Sequence, residues 1–223
     1  MNPYPIFLIG LQDRHCVVIG GGHEAEFKVK GLLDVQATVT VISGELTPTL
    51  REWADDGRFV WLDREYEPGD LRGAFLVISE RGEAKRNTAV YQEAVAEKAL
   101  VNVMDDVGHC DFVAGSVVRQ GALTISISTS GAAPTLAVRL RQEFEQRFDA
   151  SYGTFLAWMQ ALREPMAAHY AHFGERRERW YAVVDSDVLA LIGDGRLAEA
   201  QQKIQAITGI DPLPEVILQE NGN

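Results

Sequence analysis

The stretch Val17-Val18-Ile19-Gly20-Gly21-Gly22-His23-Glu24-Ala25 joins an apolar run to a helical pattern and fits G-x-G-x-x-A through Gly20, Gly22 and Ala25. Each residue type has a chemical reason to be there. Gly20 permits a tight turn, Gly22 lets backbone amides approach a pyrophosphate, and Ala25 allows helix and strand to pack closely. Gly21, His23 and Glu24 complete a cradle at a helix N-terminus, whose partial positive charge favours an anion. The competing reading is a glycine-rich strand–helix turn that holds no ligand. The next strand ends in Ile42-Ser43-Gly44-Glu45, where a hydroxyl and an acid can meet a ribose and no arginine stands ready for a 2′-phosphate. The preference is therefore for NAD over NADP. A second candidate is Asp105, which directly follows the apolar run Leu100 to Met104. A carboxylate at the carboxyl edge of an open sheet can accept and return a proton, and it can equally be a strand-end or capping residue.

Such groups need a scaffold that brings strand ends together. His15 to Ile19, Thr38 to Ile42, Phe59 to Leu62, Ala74 to Ile78 and Leu100 to Met104 read as short buried strands. Glu24 to Leu33 and Ala84 to Lys98 carry helical periodicity between them. Alternating strands and helices predict a parallel sheet covered on both faces, an α/β Rossmann-type domain. The pattern then changes. Phe112 to Val118 and Ala122 to Ser128 read as two strands around Arg119-Gln120-Gly121, a hairpin or bent ribbon. Thr135 to Phe148 is helical, and two or three further helices are expected from Tyr152 to about Ile207. The tail from Pro212 reads as frayed. The expected division is a nucleotide domain over 1–112, a short β–α connector over 113–149 and a helical cap over 150–223.

The 223 residues carry 21 basic and 32 acidic side chains, a formal charge of −11. That acidity excludes a nucleic-acid binder, which needs surplus Lys and Arg against phosphate, and an anionic membrane surface. No apolar run approaches a membrane span, and Met1 to Leu11 lacks the pattern of a secretory leader. Cys16 and Cys110 are too few for a disulfide framework, which places the expectation in the reducing cytoplasm.

Several stretches together are more specific than the glycine turn. Tyr4-Pro5-Ile6-Phe7-Leu8 precedes Asp13-Arg14-His15-Cys16 and the turn itself. Tyr66-Glu67-Pro68-Gly69-Asp70-Leu71, Asn87 and Val101-Asn102-Val103-Met104-Asp105-Asp106 follow in order. Beyond them come Cys110-Asp111-Phe112 and Leu123-Thr124-Ile125-Ser126-Ile127-Ser128-Thr129-Ser130-Gly131-Ala132-Ala133-Pro134. In these residues the sequence resembles the precorrin-2 dehydrogenase family, which includes the dehydrogenase/ferrochelatase module of siroheme synthase. The resemblance covers roughly residues 4 to 148 and, more loosely, the helical remainder. It implies NAD-dependent oxidation of precorrin-2 to sirohydrochlorin, a homodimer built through the connector and helices, and an active site between nucleotide domain and cap. Some members also insert Fe²⁺ or Co²⁺, with the macrocycle supplying the metal ligands, so no resident metal site is expected. A more remote alternative is a non-catalytic NAD-sensing or tetrapyrrole-binding protein.

The resemblance makes Asp105 the catalytic residue and leaves Asp106 as a turn residue. It puts Ser43 and Ser79 beside the cofactor, and Asn102 and Ser128 in the tetrapyrrole pocket; Ser128 also suits a helix N-cap. An octacarboxylate substrate calls for local cations, and the candidates are Lys28, Arg119, Arg139 and Arg141. The chain also departs from the pattern. Phe27 stands where a basic residue is common, Ser79-Glu80-Arg81-Gly82 replaces an Ala-Thr-Asp-Asp-like stretch near the cofactor, and Val113-Ala114-Gly115 replaces an aromatic-Pro stretch. His169 and His172, three apart on an expected helix, and His109-Cys110-Asp111 could be read as metal ligands, and both read better as ordinary surface or structural residues.

Overall fold

The computed structural model describes residues 4–218. The chain divides into two compact units, Met1–Ala114 and Gly115–Asn223. The first unit holds a parallel sheet of β1 (His15–Ile19), β2 (Thr38–Ile42), β3 (Val60–Leu62), β4 (Leu76–Ser79) and β5 (Leu100–Val103) in the order β3-β2-β1-β4-β5. Helices α1 (His23–Leu33), α2 (Pro48–Asp55) and α3 (Ala84–Glu97) connect them, with a short 3₁₀ turn at Val107–His109. This is the Rossmann-type sheet that the alternating pattern predicts.

The layers follow from the pleat, which sends successive side chains to opposite faces. Cys16 and Val18 enter one core with Ala25, Val29 and Leu32 of α1. Val17 and Ile19 enter the other with Val90 and Ala94 of α3. β1 is thus buried on both sides, which is why it reads as an unbroken apolar run. Burial pushes the Cys16 thiol up to about 11. β1 and β2 keep the expected bounds, and the other strand and helix ends shift by up to four residues. Lys98, at φ +59° in the left-handed region, closes α3 as its C-cap rather than continuing it.

α2 was absent from the sequence expectation. Leu50 is buried and Trp53 and Ala54 pack beside it on the same face, but eight residues give this i, i+3, i+4 pattern only one repeat. Its start is written in capping chemistry instead: Thr47 Oγ1 accepts from Leu50 N at 3.2 Å, and Pro48 follows at the first helical position.

The second unit contains the antiparallel pair β6 (Ser116–Gln120) and β7 (Leu123–Ile127), then α4 (Pro134–Arg147), α5 (Ala150–Ala161), α6 (Arg163–His169), α7 (Phe173–Val184), α8 (Val188–Gly193), α9 (Leu197–Thr208) and α10 (Glu215–Leu218). The hairpin turns at Gly121-Ala122, one residue later than expected. Gly121 takes φ +56°, and a Cβ there would lie 2.9 Å from Gly153 Cα. Five helices lie between Ala150 and Thr208, not two or three, because glycines and short breaks split what reads as continuous periodicity. The tail is also corrected. Leu213 and Ile217 are buried with Phe155, Trp158 and Ile204, and Gln201 Nε2 donates to Ile217 O at 2.6 Å, so the tail through Ile217 is packed rather than frayed, and its remainder from residue 219 lies outside the described residues. Among the described residues no helix is long and apolar enough to cross a membrane.

Candidate functional site

The register of the first sheet sets the candidate site. Ile19 of β1 stands beside Ile42 of β2 and Ser79 of β4, and Ser79 stands beside Val103 of β5. The carboxyl ends of four strands therefore finish level, and Gly20, Ser43, Glu80 and Met104 leave the sheet along one edge. The strand order reverses between β1 and β4, the place where open α/β sheets bind ligands. β5 lies two strand spacings from β1, about 10 Å.

The glycine turn is built as its types require. Gly20 has φ +119°, accessible in practice only to glycine. A Cβ on Gly21 would fall 2.0 Å from the carbonyl oxygen of Glu45, because the loop after β2 folds onto the turn and Thr47 N donates to Gly21 O at 2.9 Å. His23 and Glu24 are exposed and Ala25 is fully buried. Ser43 closes its own loop, donating from Oγ to Glu45 O at 2.6 Å, and its carbonyl accepts from Trp61 Nε1 at 2.8 Å. Ser79 is buried and donates to Glu80 O at 3.0 Å.

The cradle holds a carboxylate. Glu80 follows β4 directly, and its Oε1 accepts from Ala25 N at 3.1 Å, one of the amides that a helix start leaves without an internal partner. A Cβ on Gly20 would lie 2.3 Å from Glu80 Oε2, and one on Gly22 would lie 2.8 Å from Oε1. Glu80 thus stands in for an oxyanion between the glycines and the start of α1. That geometry fits a dinucleotide diphosphate in donor, shape and charge preference. Gly20, Gly22 and Ala25 are the residues that would hold it.

At the end of β5 the two aspartates diverge. Asp105 takes φ +60°, is exposed, and makes no hydrogen bond or ion pair among the described residues. Asp106 is the engaged one: Asn87 Nδ2 donates to its Oδ2 at 3.0 Å, and His109 Nδ1 lies 2.8 Å from the same oxygen. The Asn87 amide first, and the His109 ring second, hold the Asp106 carboxyl below its ordinary range. Thr88 and Tyr91 of α3 also touch the His109 ring. Asp106 is therefore a joint between α3 and the 3₁₀ turn, more than the simple turn residue expected. Asn102 is buried, and its amide donates to Phe112 O at 2.8 Å and Cys110 Sγ at 3.4 Å, so both amide hydrogens serve the loop after β5.

The remaining candidates are distributed between the units. Lys28 is half-buried on α1, and burial lowers its pKa against the opposing pull of Glu24. Arg119 lies exposed on β6, and Arg139 lies exposed on α4. Arg141 on α4 is paired with Glu145 one turn on, which leaves it less suited to a ligand carboxylate. Ser128 is not a helix N-cap: Ala133 precedes α4, while Ser128 Oγ accepts from Ser130 N at 3.2 Å and Thr129 Oγ1 accepts from Ala133 N at 3.3 Å. His169 ends α6 and His172 precedes α7, so the two do not share a helix as expected. Among the described residues no three His, Cys, Asp or Glu side chains are grouped to hold a metal ion.

Sequence reasoning missed Glu80 and the Asn87–Asp106–His109 joint. The unusual Ser79-Glu80-Arg81-Gly82 stretch was the signal for the first, and the Asp-x-x-His spacing was available for the second.

The sheet order and the cradle define a Rossmann-type nucleotide-domain protein extended by a β-hairpin and a helical region. Three family models match in sequence order: "Putative NAD(P)-binding" over residues 7–116, the sirohaem biosynthesis protein central region over 120–147, and the sirohaem synthase dimerisation region over 151–207. The chain belongs to the family of sirohaem-synthase-type proteins that these regions define. Siroheme synthase 3 of Aeromonas hydrophila subsp. hydrophila is 36% identical over 203 residues, covering 91% of this chain and 43% of that protein. Siroheme synthase of Methylobacillus flagellatus is 36% identical over 207 residues, covering 93% of this chain and 44% of that protein. The chain thus spans about half the length of the curated relatives it matches. The solved structure of SirC, a precorrin-2 dehydrogenase, shares the fold with a TM-score of 0.75 at 21% identity, covering 93% of this chain and 100% of that one.

Proposed function

We propose that the chain is an NAD-dependent dehydrogenase that oxidises precorrin-2 to sirohydrochlorin, acting as a homodimer through its sirohaem-synthase dimerisation region. The observation that carries this reading is the pairing of an anion-accepting glycine cradle after β1 with an exposed, unengaged carboxylate after β5, on one edge of one sheet. When bound, the nicotinamide supplies a hydride acceptor. Gly20, Gly22 and Ala25 hold the diphosphate by backbone approach and by the Ala25 amide that Glu80 otherwise occupies, with Gly21, His23 and Glu24 forming the rest of the turn. Ser43 and Ser79 border the site, and the absence of an arginine at the end of β2 favours NAD over NADP.

Oxidation removes a hydride and a proton from the macrocycle, giving sirohydrochlorin, NADH and H⁺. Asp105 takes the proton, since its carboxylate is free of internal partners and stands at the sheet edge. Lys28, Arg119, Ser128 and Arg139 are the proposed substrate contacts, with the three cations meeting substrate carboxylates. Asn102 supports the loop that carries Asp105 and the residues after it. The division into a nucleotide domain, a connector over 113–149 and a helical cap belongs to the same proposal.

The test is an assay pair. Purified, folded protein given precorrin-2 and NAD should form NADH in step with sirohydrochlorin; none formed overturns the dehydrogenase reading. The same protein offered sirohydrochlorin with Fe²⁺ or Co²⁺ reveals a second, chelatase activity if metal is inserted.

A further inference from the structure

We propose that Glu80 is an intramolecular competitor for the cofactor diphosphate and so sets the affinity of the nucleotide site. This inference rests on the dinucleotide reading of the glycine cradle and deepens it.

The competitor is placed by backbone geometry. Parallel pairing of Ile19 with Ser79 puts the next residues, Gly20 and Glu80, side by side where both strands end. Glu80 N donates to Ile19 O at 2.8 Å, which fixes the start of its side chain at the floor of the cradle. From there the carboxylate reaches Ala25 N and lies against Gly20 and Gly22. A phosphate oxygen drawn to the same amide would meet a like charge in the same space, so the two cannot be held together.

The main chain of this loop is tied down. Arg86 Nη2 donates to Glu80 O at 2.8 Å, and Gly82 N donates to Asn87 Oδ1 at 3.1 Å. Entry of a diphosphate therefore requires rotation of the Glu80 side chain rather than movement of the loop. The carboxylate has no cation partner within the described residues, because Arg86 uses its guanidinium on the Glu80 carbonyl and pairs otherwise with Glu65. Ala25 N is its single hydrogen-bond donor there. What the cofactor must displace is thus one charge-assisted hydrogen bond together with the repulsion of one negative charge.

Replacing that bond and charge should change affinity by about tenfold to a hundredfold. The experiment measures binding of NAD and of adenosine, which carries no phosphate, to wild type, Glu80→Ala and Glu80→Gln by titration calorimetry. Amide hydrogen exchange at Ala25 is followed in the ligand-free proteins. NAD should bind at least tenfold tighter to Glu80→Ala, with Glu80→Gln between the two, while adenosine affinity stays unchanged. Ala25 exchange should accelerate when the carboxylate is removed. Equal or weaker NAD binding by Glu80→Ala overturns the inference and leaves the cofactor reading standing. No NAD binding by any of the three proteins overturns the cofactor reading and the competitor with it. Unchanged Ala25 exchange overturns the placement of the carboxylate. If Glu80→Ala fails to fold, the isosteric Glu80→Gln carries the same comparisons.

Discussion

Replacing Asp105 separates chemistry from architecture, because its side chain does nothing structural that can be seen. It is exposed and makes no hydrogen bond or ion pair among the described residues, while the neighbouring Val101 and Val103 are fully buried and hold β5 in place. Its backbone is another matter. At φ +60° it sits in the left-handed region, which Asp and Asn tolerate better than most side chains. Asp105→Asn preserves both shape and backbone preference, so its stability should stay within about 0.5 kcal/mol of wild type. Asp105→Ala loses the local preference and should cost about 1–2 kcal/mol. The rate should respond very differently. Loss of a positioned proton acceptor lowers turnover by roughly 10²–10⁴-fold, and both variants lack the carboxylate. The assay is NADH formation from precorrin-2 under saturating NAD, read beside a denaturant melt of each variant. Asp105→Asn that turns over within about threefold of wild type refutes the proton-acceptor assignment, whatever its stability. A rate loss confined to Asp105→Ala would trace to the strained backbone instead.

The glycines of the cradle should differ in cost according to what a Cβ would meet. Gly21→Ala drives its methyl to 2.0 Å from the Glu45 carbonyl and must shift backbone, so about 1–3 kcal/mol is expected. Gly22→Ala meets only the movable tip of Glu80 and should cost less in urea melts; equal costs would show that the loop after β2 yields freely. Asp106 carries a pH prediction. Its pKa is held below the ordinary 3.8 by the Asn87 amide and the His109 ring, so the folded state binds its proton less readily than the unfolded state. The stability advantage of wild type over Asp106→Asn should be full at neutral pH and fade as pH falls below 3.8 through the lower folded value. A difference independent of pH between 7 and 2 would refute it.

The elements read correctly from sequence are those whose burial is two-sided or strictly one-sided. Val17, Val18 and Ile19 are all buried, so β1 could be nothing but an apolar run, and Ala25, Val29 and Leu32 mark α1 by their spacing. α2 has a one-sided face in Leu50, Trp53 and Ala54, but over eight residues that pattern does not repeat, and its capping signal, Thr47 with Pro48, passes for a loop. The tail was misread for another reason. Pro212 and Pro214 look like breakers, yet they bracket Leu213, which is buried with Ile217 in the helical core. Proline ends helices, and it does not prevent an extended segment from packing.

The site divides along the same line between local and non-local information. Gly20, Gly22 and Ala25 are neighbours in sequence, so one motif announces the turn and the amide it leaves open. Glu80 is 55 residues from Ala25, and nothing in either segment states that they meet. The contact exists because β4 pairs with β1 in a register that ends Ser79 level with Ile19. A one-residue shift in that register would turn the carboxylate to the other face of the sheet, away from the cradle. The net charge of −11 therefore says little about the site. Among the described residues Glu80 is the acid whose side chain reaches the amide of the glycine turn, and its position is decided by the register of two buried strands.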